Sequence, residues 1–497
     1  MRFQFSNFRS RLLLNGSVLL TLALVVANSV LAQDTIPVPG PPRSVSIPAV
    51  KESKLKNGLT VAVIEKTNNP LVTVQLLVRA GASNETIRKA GLANIAASML
   101  TKGTKTRSAE QIAEQMEFLG GSINSGGGWN NSAVTIGITS DKLEQAMAIM
   151  SDVALEPSFK GEELDLLKSQ SIDELKFSLT QPGFLANYVG SVYTNGEHPA
   201  GGTPASLESL SVSDVQQFYS KNFNPANAVL IFTGDVSAAK ANSLAETYFS
   251  KWISNDRIVT NMSATTAGTV ASKDIVRRIL VVDMPNSGQA SVNYVKAIYG
   301  LGRKSADYYS SSVLNSLLGG GYSSRLNQEI RIKRGLSYGA GSGFAWRDGR
   351  TNFATRTQTK NESAAQVAEL VIAELKRLGE TTAAADELNP RKAVLTGGFG
   401  RNLETTGGLG GALGELYSFG ISTGELNKYV GNVNAVTDAN VKDFAIRHLN
   451  GGDIIIVGDY TAFKDDLAKR FPNMKIDVVK VDELNIESPT LRKSDIP

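Results

Sequence analysis

The sequence predicts an α+β protein made of two related halves. Stretches with the period of a strand alternate with stretches that have the period of an amphipathic helix. The pattern that ends the first half, at residues 212–235, returns at residues 436–459, and the two Gly-Asp pairs stand 224 residues apart. The chain of 497 residues is 42% hydrophobic and 20% charged, which suits two to four domains with packed cores.

Each half is expected to form a mostly antiparallel sheet covered by helices. The strands predicted in the first half are residues 59–65, 71–80, 133–139 and 228–233. The helices predicted there are residues 92–101, 109–119, 142–153, 162–178, 184–193, 212–222 and 238–252. The second half repeats the plan, with strands predicted at 279–283 and 290–298 and a helix at 307–318.

The N-terminus resembles a secretory signal. Arg2, Arg9 and Arg11 form a basic region, residues 18–27 an apolar core, and residues 30–32 a small-residue cleavage site. We therefore expect a periplasmic protein; the alternative is an uncleaved anchor that leaves the protein on the membrane, facing the periplasm. No later run is long and apolar enough to span a bilayer.

Composition sets the remaining boundaries. Residues 1–32 are taken as the signal, 33–50 as an extended lead-in, 51–254 as the first domain, 255–274 as a linker rich in Ser, Thr, Ala and Asn, 275–478 as the second domain, and 479–497 as a largely unstructured tail. The glycine-dense residues 397–420 fit no regular element well, and either a small-residue packing region or a hinge would explain them.

The charge argues against a nucleic-acid partner. The formal charge of the whole chain is +4, and the signal region supplies three of these positive charges. The rest of the chain is nearly neutral and has no basic stripe with interleaved aromatic residues.

Residues 319–338 are the most informative stretch. Gly319, Gly320 and Gly321 open it, and a helix is expected to follow, with Ser323 or Ser324 as its N-cap. Its apolar face is predicted at Leu326 and Ile330, and Gly335 stands where a C-cap glycine belongs. A hairpin with strands at 336–346 and 351–358, turning at Asp348-Gly349, should come next. This reversal is expected to bring Arg331, in the last helical turn, close to Tyr338, at the start of the strand.

This stretch resembles the C-terminal signature of the M16 peptidases, the family of pitrilysin, insulinase and the mitochondrial processing peptidase, subfamily B, in its non-zinc-binding subunit form. The resemblance implies two homologous α/β-sandwich domains of the LuxS/MPP-like type. It also implies that Arg331 and Tyr338 hydrogen-bond the scissile carbonyl and stabilise the oxyanion. Gly319, Gly320 and Gly321 would let the backbone approach the substrate.

The first half carries a degenerate form of the family's zinc motif. Active members have His-x-x-Glu-His on a helix before a Lys-Gly-Thr turn, whereas this chain has Asn94, Ala97 and Ser98 at the two ligand positions and the general-base position. Glu174 stands about where the family keeps its third ligand and is a relic or a surface carboxylate. We expect no zinc to be bound by this chain.

Other candidate residues are few. The chain has no cysteine, and its two histidines, His198 and His448, are expected to be structural. Residues 120–124 resemble the family strand whose exposed edge pairs with a peptide, which makes Ser122 and Asn124 candidate substrate-binding residues. The glycines at 126–128 are expected to weaken this edge.

The resemblance implies a subunit that works with a partner. We expect a zinc-motif M16B homologue to supply the metal, in a heterodimer or larger assembly that binds a peptide or unfolded polypeptide. The alternative is a pseudopeptidase that serves only as a structural or peptide-binding scaffold. A third, remote reading is a peptidase with an unrecognised metal site.

Overall fold

The computed structural model describes residues 47–253, 274–488 and 490–493. The predicted signal, most of the lead-in and nearly all of the linker lie outside the described residues. Of the helices within those residues, none is long and apolar enough to cross a membrane.

The first domain is built on a mixed sheet with strand order β1-β2-β6-β3-β5-β4. Only β2 and β6 run parallel, and the other neighbours are antiparallel. The strands are β1 (Lys51–Lys54), β2 (Thr60–Glu65), β3 (Leu71–Val78), β4 (Ser122–Gly127), β5 (Ser132–Thr139) and β6 (Ala228–Gly234).

Eight helices of the described part of the chain belong to this half. They are α1 (Leu92–Met99), α2 (Ala109–Phe118), α3 (Leu143–Leu155), α4 (Gly161–Leu179), α5 (Pro182–Tyr193), α6 (Pro204–Glu208), α7 (Val212–Asn222) and α8 (Ala238–Phe249). The short helix α6 is the one element among them that the periodicity did not predict.

The second domain has a sheet of order β12-β7-β11-β8-β10-β9. Its strands are β7 (Val276–Asp283), β8 (Ala290–Tyr299), β9 (Ala340–Trp346), β10 (Arg350–Thr359), β11 (Gly452–Gly458) and β12 (Ile476–Lys480). Its helices are α9 (Tyr308–Leu318), α10 (Ala364–Glu380), α11 (Ala385–Asn402), α12 (Thr406–Ser418), α13 (Glu425–Ala435), α14 (Asp438–His448) and α15 (Lys464–Arg470).

Five of the six strands have the same order and directions in the two sheets, which supports the internal repeat; the outer strands β1 and β12 differ, because β1 is antiparallel and β12 parallel to its neighbour. In the first, β6 lies between its parallel neighbour β2 and its antiparallel neighbour β3; in the second, β11 lies in the same way between β7 and β8. Gly234 and Gly458 end these central strands. A Cβ on Gly234 would lie 2.1 Å from the Leu71 carbonyl, and one on Gly458 would lie 2.7 Å from the Ala290 Cβ. The neighbouring strands approach so closely that only glycine fits at this position, at the end of β6 in the first half and of β11 in the second.

One helix of each domain packs on the sheet of the other domain. Helix α5 of the first half packs on β8 and β11, where Leu185, Ala186 and Val189 join a cluster with strand residues of the second sheet. Helix α12 of the second half packs in turn on β3 and β6 through Leu409 and Leu413. This exchange buries the remaining apolar face of both sheets and joins the halves.

Two expectations about the C-terminal half need correction. The glycine-dense residues 397–420, expected to fit no regular element, lie mostly in α11 and α12. Of the two explanations offered, the small-residue packing region fits, because a Cβ on Gly414 would lie 2.6 Å from Gln75 Oε1 and 3.3 Å from Leu77 Cδ1 of β3. The tail beyond 479, expected to be largely unstructured, packs on the fold at the residues that the structure describes, 480–488 and 490–493. Leu491 is fully buried there, and the Thr203 hydroxyl donates a hydrogen bond to Glu487.

Candidate functional site

The helix that carries Arg331 is a π-helix, Asn327–Ile332, rather than the expected α-helix. The Lys333 amide donates to the Gln328 carbonyl, five residues back, at 2.9 Å. Single-turn π-helical segments are found frequently at functional sites. Gly335 follows with φ of +63° and donates its amide to the Arg331 carbonyl, so its predicted role at the helix end is correct.

Neither predicted N-cap serine caps this helix. The Ser323 hydroxyl accepts a hydrogen bond of 2.7 Å from Arg391 instead, and Ser324 is fully buried with no partner for its hydroxyl among the described residues. The loop is held from α11 because Arg325 also donates two hydrogen bonds, of 2.8 and 2.7 Å, to the Glu387 carboxylate. Leu326 and Ile330 are fully buried, as predicted.

Tyr338 lies at the tip of a tight turn and not in a strand. The Ser337 hydroxyl donates to the Gly339 carbonyl (2.7 Å) and accepts from the Gly339 amide (3.0 Å), and β9 begins only at Ala340. Thr359 at the end of β10 donates to the Leu336 carbonyl at 2.6 Å. The turn exposes 90% of Tyr338 to solvent.

The reversal brings Arg331 and Tyr338 together, as the sequence predicted. The guanidinium carbon of Arg331 lies 4.7 Å from the centre of the Tyr338 ring and 4.8 Å from the centre of the Tyr322 ring. Both contacts are cation–π contacts, in which the aromatic rings attract the guanidinium without using its N–H groups in hydrogen bonds. Tyr322 was missed at the sequence level, although its place directly after Gly321 is a usable signal.

The Arg331 guanidinium has no hydrogen bond or ion pair within the part of the chain that the structure describes. Glu329, in the same helical segment, is held by Lys333 and by Arg334, whose Nη1 lies 2.7 Å from the carboxylate. Burial alone would raise the pKa of Glu329, but the two cations outweigh it and lower this pKa. A planar fork of N–H donors beside an exposed phenol can bind a peptide carbonyl or an oxyanion.

The three glycines before this site differ in their surroundings. A Cβ on Gly319 would lie 2.4 Å from the Ser342 amide, and one on Gly320 would lie 2.8 Å from the Ser316 Cα, so both approach the chain's own backbone. Gly321 faces open space. Of the three predicted substrate-binding glycines, it alone has room beside it for a ligand.

Asn94, Ala97 and Ser98 lie on α1 as predicted. Asn94 Oδ1 accepts a long hydrogen bond of 3.4 Å from the Gly127 amide, Ala97 is fully buried, and Glu174 is exposed on α4. An amide, a methyl group and a hydroxyl are not a donor set that fits zinc. Among the described residues no group of three or more His, Asp or Glu side chains is placed to hold a metal ion. That the chain carries no zinc in solution stays a prediction.

Both histidines have structural surroundings. His198 lies 3.1 Å from Glu85, whose fully buried carboxylate also accepts the Gly91 and Ala93 amides at the start of α1. His448 ends α14 beside Asp307, at 3.5 Å, and burial lowers the pKa of His448.

The predicted peptide-binding edge is an edge strand. Within the described residues β4 pairs only with β5, and Ser122 and Asn124 are exposed on it. The strand continues through Gly126 and Gly127, because Gly127 packs so tightly on α1 that a Cβ would lie 2.7 Å from the Ala93 carbonyl. This edge belongs to the first sheet, whereas Arg331 and Tyr338 belong to the second domain.

Solved structures with the same fold identify the class. The peptidase M16 inactive domain from Pseudomonas fluorescens superimposes with a TM-score of 0.74 at 23% identity, over 82% of this chain and 98% of the other. A protease from Helicobacter pylori gives 0.75 at 20% identity, over 83% and 100%. The molecule therefore shares the fold of these two proteins.

Sequence comparison gives the family. The pattern described as "Peptidase M16 inactive domain" matches residues 209–395, and "Insulinase (Peptidase family M16)" matches residues 60–182, together more than half of the chain. The chain belongs to the M16 peptidase family, which confirms the resemblance found in the sequence.

Curated relatives agree with this assignment. An uncharacterized zinc protease of Rickettsia bellii is 28% identical over 297 residues, 58% of this chain and 68% of that one. One from Bacillus subtilis is 24% identical over 367 residues, 72% of this chain and 85% of that one.

Proposed function

We propose that this chain is the non-catalytic subunit of a periplasmic, heteromeric M16B zinc metallopeptidase. It has no peptidase activity alone. A zinc-bearing homologue supplies the metal, and this chain supplies Arg331 and Tyr338 in trans to hold the scissile carbonyl and its oxyanion. The observation that carries the proposal is the Arg331 guanidinium, which lies beside Tyr338 and whose N–H donors have no hydrogen-bond partner among the described residues.

Features of the first domain also support a subunit that binds the peptide substrate but no zinc. At the family's zinc positions, Asn94 contacts the chain's own Gly127 and Ala97 is part of the core, so α1 serves packing. The free edge of β4, with Ser122 and Asn124, is suited to pairing with an extended peptide through backbone hydrogen bonds.

The test has two steps. Purification of the tagged chain from the cell envelope should recover an M16 homologue that carries the complete zinc motif. Peptide cleavage by the pair should then fall about 10²–10³-fold with Arg331→Ala, since one oxyanion donor contributes that much. Tyr338→Phe should also lower the rate.

Matched controls come from the first domain. Arg88 is exposed and Tyr248 lies on the surface of α8, so Arg88→Ala and Tyr248→Phe should leave the rate unchanged. Full activity in both Arg331→Ala and Tyr338→Phe would remove the role in trans. It would favour the second candidate, a pseudopeptidase scaffold, which the packing role of Asn94 and Ala97 also fits.

A further inference from the structure

One side chain connects the two segments that carry the tyrosines beside Arg331. Asn327 donates its amide Nδ2 to the Gly321 carbonyl at 3.0 Å and accepts the Ala340 amide on Oδ1 at 2.9 Å. Gly321 directly precedes Tyr322, and Ala340 follows Tyr338 by two residues. Asn327 itself begins the π-helix that carries Arg331.

The two tyrosine side chains are themselves mostly exposed, so the backbone that carries them has to be positioned by other groups. Tyr338 is 90% exposed and Tyr322 64% exposed, whereas Asn327 is only 8% exposed. A carboxamide donates and accepts hydrogen bonds at once without carrying a charge, so it can be buried between two backbone groups. Asn327 therefore joins the glycine loop and the start of β9 to the helix of Arg331, and the Ser342 amide joins the same loop and strand directly by donating to the Gly319 carbonyl at 3.2 Å.

We propose that Asn327 is the positioning residue of this site. Its carboxamide places Tyr322 and Tyr338 beside the Arg331 guanidinium, and the two rings in turn set the direction in which the N–H donors of Arg331 point. The catalytic consequence rests on the function proposed above. The connection between the segments does not, because it can be measured on this chain alone. Substrate need not touch Asn327 for its loss to matter, since donors act strongly only when they are already aimed.

The first experiment uses the full chain without a partner. Asn327→Leu removes both hydrogen bonds at similar volume, and hydrogen exchange of the peptide that contains Ala340 should become about five- to tenfold faster, as expected for the loss of one buried hydrogen bond. Asn327→Asp keeps an acceptor for the Ala340 amide and loses only the bond to Gly321, so exchange at Ala340 should stay slow.

The control is Asn222→Leu. Asn222 is a buried asparagine of the first domain, 3% exposed, that donates to the Phe218 carbonyl at 2.8 Å. It should leave exchange near Ala340 unchanged. Unchanged exchange at Ala340 in Asn327→Leu, in a chain that remains folded, would overturn the proposed connection. If Asn327→Leu does not fold, Asn327→Asp still tests the positioning role in the next assay.

The second experiment measures peptide cleavage by the assembled pair. Asn327→Leu and Asn327→Asp should each lower kcat roughly tenfold with little change in KM, because aimed donors act mainly on the transition state. Tyr322→Leu should have a similar effect, and Asn327→Leu combined with Tyr322→Leu should lose little more than either alone.

The outcomes separate the two proposals. If Arg331→Ala abolishes cleavage while both Asn327 variants keep full kcat, the positioning role is overturned and the function in trans stands. If Arg331→Ala leaves cleavage intact, the function in trans fails and the catalytic role of Asn327 fails with it, whatever the exchange rates show.

Discussion

The carboxylate of Glu197, in the loop after α5, accepts a hydrogen bond of 2.7 Å from the side-chain amide of Asn352 in β10. Arg347 lies 3.1 Å from the same carboxylate, and Arg350 also donates to it. Glu197 is 5% exposed, so one buried acid of the first domain holds two arginines and an amide of the second.

Glu197→Ala should therefore destabilise the protein by roughly 3 kcal/mol. Removing one member of a buried ion pair leaves the partner charges uncompensated, which costs about 3–5 kcal/mol, and the partial exposure of the arginines favours the lower end. Urea unfolding followed by circular dichroism measures the change. Glu246→Gln, at an exposed acid of α8, is the control and should change stability by less than about 0.5 kcal/mol. Equal stability of the two variants would contradict the conclusion that Glu197 holds the two domains together.

Substitutions at two helical glycines, one in α5 and one in α12, test how these helices pack on the sheet of the opposite domain. A Cβ on Gly190 would lie 3.0 Å from Val295 of the second sheet, so Gly190→Leu should cost about 1–3 kcal/mol by overpacking. Gly411, in α12, has nothing within 4 Å of its Cβ position, and Gly411→Ala should stabilise by about 0.5–1 kcal/mol. Thermal unfolding of both variants checks the opposite signs. A stable Gly190→Leu protein would mean that α5 does not pack closely on β8.

Much of this fold was predictable because the amphipathic periods are strong and each sheet repeats them. Helix α7 has the predicted bounds, and the other predicted strands and helices shift by a few residues, except that β9 begins four residues late. The sequence could not show that α5 and α12 cover the sheet of the opposite domain, since periodicity identifies an apolar face and not the surface that covers it.

The candidate site was predictable to a lesser degree. The approach of Arg331 to Tyr338 followed from Gly335, whose positive φ reverses the chain. The π-helix depends on the backbone hydrogen bond from Lys333 to Gln328, and Asn327 bonds to Gly321 and Ala340 in the segments on either side of it. The period of the apolar residues reports neither. Glu197, beside His198, gave no signal in the sequence, because the partners through which it joins the domains, Arg347 and Asn352, lie 150 and 155 residues further along the chain.

Zinc should have no effect on the stability of the wild-type chain. Asn94 and Ser98 are one turn apart on α1, and neither is a good ligand, so addition of zinc or of a chelator should leave Tm unchanged. The variant with both Asn94→His and Ser98→His places two imidazoles on one helix face, and its Tm should rise with zinc. Ser98→His alone is the control, with one imidazole and a smaller rise. A zinc-dependent Tm in the wild type would show an unrecognised metal site and support the third reading of the sequence.

The contact between Arg325 and Glu387 should make the loop before Arg331 sensitive to acid. The hydrogen bonds from Arg325 lower the pKa of Glu387 below its ordinary range, and burial opposes them only in part. A carboxyl group with a lowered folded-state pKa stabilises the fold above its unfolded pKa, near 4.3, and loses that contribution as the pH falls through the folded value. Burial raises the pKa of Glu374, in α10, so its contribution to stability changes with pH in the opposite direction.

Comparison of the wild type with Glu387→Gln separates the contribution of Glu387 to the pH dependence of stability from that of Glu374. The variant should be less stable than the wild type at pH 7, and the difference should shrink as the pH falls from about 5 to 3, because the wild type alone loses the ionised pair. Urea midpoints at four or five pH values measure the difference, and Glu246→Gln should follow the wild type throughout. A constant gap between wild type and Glu387→Gln over this range would mean that the ionised pair does not hold the loop, and that Arg325 is fixed by its burial alone.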